Sequence, residues 1–144
     1  MSARQNIWFF SEDVSYVHKG KNATRSWINN AIFNEGFSFG EINIIFCSDE
    51  YLSQINLKYL NHNTLTDIVT FDMSEKEDVI SGDVYISVER ARENCKKFDV
   101  RLDDEIKRLI IHGILHLAGY SDKAPEDKAL MTRKEDYYLS LPAS

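Results

Sequence analysis

Apolar and polar residues along this chain follow two different periods. Ile7 to Phe10 is a run of four apolar residues bounded by polar ones, which predicts a short strand. From Thr24 to Gly36 the apolar residues Trp27, Ile28, Ala31 and Ile32 recur at helical spacing, with Thr24 as cap and Gly36 as stop. Glu41 to Cys47, rich in β-branched Ile42, Ile44 and Ile45, predicts a second strand. Ser48 then opens a helix whose Leu52, Ile55 and Tyr59 share one side. Its capping box is imperfect, because Tyr51 stands where Glu or Gln is wanted.

Asp67 to Phe71 predicts a third strand and the alternating Asp83 to Ser87 a fourth, with the acidic stretch Asp72 to Asp78 as the loop between them. Val88 to Phe98 predicts a helix with Val88, Ala91 and Cys95 on its inner face. Asp103, Asp104 and Glu105 place negative charge at the start of the next helix, which runs to about Ala118 and stops at Gly119. Pro125 is suited to the first position of a last helix, with Leu130 and Tyr137 or Tyr138 turned inward. The expectation is an α+β fold: a small mixed four-stranded sheet packed with about five helices.

Composition narrows this picture. At 144 residues with 43% apolar content, the chain is expected to form one domain, 1–144, with a single core. Cys47 and Cys95 are far apart and in no CxxC pair, which fits free thiols in a reducing compartment. The only apolar run near the start is too short for a signal-peptide core and no later segment approaches a membrane span, so the cytoplasm is expected. A net charge of −6 disfavours a generic nucleic-acid binder, which works by neutralising phosphates.

The chemistry concentrates in residues 109 to 119, Leu-Ile-Ile-His-Gly-Ile-Leu-His-Leu-Ala-Gly, where His112 and His116 are the only polar side chains. Four residues apart on a helix, the two imidazoles project from one face and can share a tetrahedral metal. Gly119 lets the chain turn back and deliver Asp122, six residues after His116, as third ligand. Two histidines and a carboxylate leave a fourth position open, the pattern of a catalytic zinc site. The plainer alternatives are hydrogen-bonded core histidines and a solvated turn aspartate.

Spacing alone is close to that of metzincin-type proteases, but those need a Glu after the first histidine, and here Gly113 stands there. His62, in the polar loop Asn61-His62-Asn63, and His18 read as surface residues, with His62 kept as a second-rank substrate contact. Asp67 and Asp83 are cleft candidates for proton transfer, against a structural role at strand ends. Lys123, Lys128, Arg133 and Lys134 offer phosphate contacts, against a solvated helix face paired with Glu126, Asp127, Glu135 and Asp136.

The block His112-Gly113-Ile114-Leu115-His116-Leu117-Ala118-Gly119-Tyr120 resembles the signature of the YbeY family of bacterial zinc-dependent ribosomal RNA maturation factors. Asn56-Leu57-Lys58-Tyr59, Thr66-Asp67-Ile68-Val69-Thr70-Phe71 and Gly82-Asp83-Val84-Tyr85-Ile86 match its middle blocks in order and spacing. Two positions differ from the family pattern. Asp122 replaces the usual third histidine, which lowers the site's net charge by one, and Leu60 stands where an arginine phosphate clamp is common.

The resemblance implies a single-strand-specific endoribonuclease, with one zinc ion, acting late in small-subunit rRNA maturation and in ribosome quality control. Its partners would be RNA and the small ribosomal subunit, with no membrane and no dinucleotide cofactor. Two other readings stand beside it: a ribosome-assembly binding protein with a structural metal, and a metalloprotease lacking its Glu base.

Overall fold

The computed structural model describes residues 5–60 and 66–141. In chain order the elements are β1 (Asn6–Ser11), α1 (Lys21–Asn34), β2 (Ser38–Cys47), α2 (Asp49–Leu60), β3 (Ile68–Asp72), β4 (Val79–Ser87), α3 (Val88–Lys97), α4 (Leu102–Leu117) and α5 (Pro125–Ser140). The strands form one mixed sheet in the order β1-β2-β4-β3, parallel except for the β3–β4 pair. This is the expected α+β architecture.

Side chains alternate across the sheet, so each strand feeds two cores. Ile42, Ile44 and Phe46 of β2 and Ile80, Val84 and Ile86 of β4 meet Trp27, Ile28 and Ile32 of α1, Ile106, Ile110 and Ile114 of α4, and Met131 and Tyr138 of α5. On the opposite face Leu52 of α2 packs with Cys47 and Val69, flanked by Phe71 and Tyr85. β2 is central, and its second half, Ile44 to Cys47, is buried on both faces and reads as continuous apolar sequence.

The differences from sequence expectation have local causes. β2 and β4 begin earlier than expected because their first residues pair with each other, Ser38 with Val79 and Phe39 with Ile80. Pairing between distant segments leaves no mark in either segment's own period. Thr24 does not cap α1, which starts at Lys21 after Gly20. Instead it is buried inside the first turns, where its hydroxyl donates to the Gly20 carbonyl oxygen (3.2 Å) and meets His18 Nε2 (2.7 Å). His18 is accordingly no surface residue: it is 5% exposed, its Nδ1 lies 3.1 Å from the Tyr16 hydroxyl, and burial pushes its pKa below the ordinary value.

Ser48 caps α2 as expected, accepting from the Tyr51 amide at 3.1 Å. In α5, with Pro125 at its first turn, the inward stripe is Met131, Glu135 and Tyr138, and Tyr137 is exposed. Cys47 and Cys95 are both free. Among the described residues no helix is long and apolar enough to cross a membrane.

Candidate metal centre

α4 carries apolar residues around most of its circumference, and Ile106, Ile110, Ile111, Ile114 and Leu115 are all buried. It lies against β3 and β4 at Gly113, where a Cβ would come within 2.7 Å of Val84 Cγ1 and 3.0 Å of Ile68 Cδ1. Glycine is thus required for the close approach. The position after His112 faces the sheet.

His112 and His116 occupy another face. Their Nε2 atoms lie 2.9 Å apart. Past them the helix ends in a Schellman turn: Gly119, at φ 103°, donates to the His116 carbonyl oxygen and Tyr120 N–H to that of Leu115, each at 3.0 Å. The turn does two things. It brings the Tyr120 carbonyl oxygen to His116 Nδ1 at 2.9 Å, and it returns the chain so that Asp122 Oδ2 lies 3.3 Å from both Nε2 atoms.

Each imidazole is held at its other nitrogen by an acceptor, since Glu135 Oε2 is 2.6 Å from His112 Nδ1. The Nδ1 atoms therefore carry the protons, and both Nε2 atoms present lone pairs. With both rings neutral, two lone pairs and a carboxylate oxygen face one another with no donor between them, and they repel. A shared cation removes that repulsion. A tetrahedral zinc with bonds of about 2.0–2.1 Å separates neighbouring ligand atoms by about 3.3 Å, close to the 2.9–3.3 Å seen here. His112, His116 and Asp122 can hold a metal ion.

A web of charges fixes this arrangement. Burial opposes a charged His112, but the hydrogen bond and charge of Glu135 outweigh it and raise the His112 pKa above its ordinary value. Glu135 is 7% exposed and is gripped on its other oxygen by Arg108 Nη1 at 2.8 Å, while Arg108 Nη2 reaches Asp136 at 2.7 Å. On the far side, the Tyr120 hydroxyl donates to Glu35 Oε1 at 2.5 Å, and Glu35 also takes the Tyr138 hydroxyl and Lys134 Nζ.

Asp67 lines the same cleft as His112 and Asp122, a cavity of about 690 Å³ between α3, α4 and α5. Asp83 is not brought there: it accepts from Asn43 Nδ2 at 3.0 Å and opens on a separate depression. His62 lies outside the described residues. Of the basic candidates, Lys128 borders the cleft and Lys134 is bound to Glu35, whereas Lys123 and Arg133 are exposed and do not line the cleft.

The family model described as Endoribonuclease YbeY matches residues 9–141. The chain is also 47% identical over 132 residues to a curated endoribonuclease YbeY of Flavobacterium psychrophilum, covering 92% of this chain and 94% of that protein. This chain belongs to the endoribonuclease YbeY family. Another YbeY relative, from Bacteroides thetaiotaomicron, is 41% identical over 135 residues, 94% of this chain and 98% of that one. A Thermotoga maritima protein solved in solution superposes with a TM-score of 0.64 at 25% identity, covering 93% of this chain and 87% of that chain. The YbeY signature block, His112 to Tyr120, is thus the stretch that supplies both imidazoles, the turn and the carbonyl that orients His116.

Proposed function

We propose that this protein is a zinc-dependent, single-strand-specific endoribonuclease of the cytoplasm, acting on small-subunit ribosomal RNA late in its maturation and in ribosome quality control. The observation that carries the reading is the convergence of three acceptor atoms, His112 Nε2, His116 Nε2 and Asp122 Oδ2, with both rings held at Nδ1 so that their Nε2 atoms turn toward the carboxylate. The curated relatives are named as endoribonucleases, which supports RNA as substrate. Two imidazoles and one carboxylate suit zinc in number and type.

When bound, zinc would supply Lewis-acid stabilisation of charge developing on a phosphoryl oxygen. The chain's own residues do the rest. Glu135 and the Tyr120 carbonyl hold the two rings in register, and Arg108 keeps Glu135 in place. Asp67 shares the cleft and is a carboxylate candidate there to accept a proton. A peptidase base cannot stand after His112, because Gly113 is pressed against Val84 and Ile68.

The test is cleavage of a single-stranded ribosomal RNA fragment by pure protein, beside His112→Ala and His116→Ala. The expected outcome is metal-dependent cutting lost by at least about a hundredfold in both variants, since removing a ligand disables the ion. Equal cutting by all three points to a contaminating nuclease. The net charge of −6 and Leu60 in place of the family's arginine favour one other reading, a ribosome-assembly binding protein with a structural metal. It requires that chelation lowers the melting temperature while no RNA is cut at any metal loading.

A further inference from the structure

The cavity beside the metal centre has two kinds of wall. Phe98, Val100, Leu109, Met131 and Leu139 give it an apolar lining, and Phe98 is 60% exposed with Lys97 Nζ 5.4 Å from its ring centroid. An exposed ring beside a lysine is the pairing by which single-strand sites hold a base and its phosphate. The rest is acidic. Asp67, Asp104, Glu105 and Asp136 line the cavity, and its arginine, Arg108, is committed to Glu135 and Asp136. The excess of carboxylates over Lys128 repels a phosphate from the interior and leaves it to the metal end, while the apolar lining suits a flat neutral ring.

The polar floor is built with one sense. Asn94 Nδ2 donates to Asp67 Oδ2 at 3.3 Å and to Glu105 Oε2 at 3.2 Å, which uses both its hydrogens. Glu105 is only 6% exposed, lines the cavity, and its Oε1 has no hydrogen-bond partner among the described residues. What the floor offers a ligand is acceptors alone. Glu105 sits seven residues before His112 on α4, about 10 Å along the axis, the reach of a purine nucleotide from phosphate to base edge.

We propose that this cavity is a nucleobase pocket for the residue next to the scissile phosphate, and that it takes guanine in preference to uracil. The proposal rests on the RNA-cleaving reading above. Guanine presents N1–H and N2–H side by side to a carboxylate. Uracil presents one donor flanked by two carbonyl oxygens, which an acceptor-only floor repels.

The experiment titrates the zinc-loaded protein with guanosine and uridine monophosphates, which present the same phosphate to the metal, and follows NMR signals of Phe98 and Asn94. In parallel, cleavage is measured on single-stranded oligonucleotides that differ only in a G or U beside the cut. Guanosine monophosphate is expected to bind at least about tenfold tighter and to shift both residues, with a matching preference in cleavage. Phe98→Ala, an exposed position that leaves the fold intact, is expected to weaken guanosine monophosphate several-fold, about the value of one lost stacking contact, with zinc content unchanged. Glu105→Gln is expected to erase the preference, because an amide can also donate.

Equal affinities, shifts that miss Phe98 and Asn94, or a Phe98→Ala protein with wild-type binding would overturn the pocket. RNA cut without base preference overturns it and leaves the nuclease reading standing. Preferential nucleotide binding without any RNA cleavage supports the pocket and removes the nuclease reading.

Discussion

Glu135 connects the metal centre to the rest of the molecule through two bonds, one to His112 Nδ1 and one to Arg108. The first fixes the tautomer and tilt of the ring, and the second keeps the carboxylate from rotating away. Glu135→Gln removes the charge but not the shape, so zinc affinity is expected to fall by about 10–100-fold in competition with a chromophoric chelator. Wild-type affinity would show that the contact only fills space. The residue was nonetheless hard to read from sequence. Next to Lys134 and Asp136 it looks like part of a solvated charged face, and only its place on the stripe of Met131 and Tyr138 marks it as inward. His112, His116 and Asp122 were legible because their chemistry and spacing are local; Glu135 and Glu35 depend on a helix packing from elsewhere.

At the scale of elements, the bend after α4 is the part that must be held. Glu35, at the end of α1, does so by accepting from Tyr120 in the bend and from Tyr138 and Lys134 in α5. Burial alone would raise the Glu35 pKa, but these hydrogen bonds and the Lys134 charge lower it below its ordinary 4.5. A carboxylate with a depressed folded pKa stabilises the protein above its unfolded pKa, and that contribution is lost as pH falls through the folded value. Glu35→Gln is therefore expected to flatten the acid limb of the stability profile below that ordinary value in urea titrations. An unchanged limb would mean the network carries no linkage.

The same elements explain Gly113 and Gly119. Gly113→Ala forces a methyl against Val84 and is expected to cost about 1–3 kcal/mol in urea unfolding, while a neutral result would show that the helix shifts freely on the sheet. The helices and strands themselves were legible from their periods. The early starts of β2 and β4, and the burial of His18, were not, because each is decided by a partner segment distant in sequence.

Across the whole molecule, the net charge of −6 and the acidic cleft leave the metal as the main attraction for phosphate. The ion is also part of folding, since three acceptors crowded at 2.9–3.3 Å are relieved when it is bound. A ligand held by the folded chain alone stabilises it by mass action, so chelation is expected to lower the melting temperature and added zinc to restore it. A melting temperature indifferent to both would separate the site from stability. The most direct measurement is elemental analysis of protein purified without added metal, wild type beside Asp122→Ala. One zinc per wild-type chain, largely lost from the variant, is the predicted result. No metal in the wild type, or the same content in both proteins, would contradict a centre built from His112, His116 and Asp122.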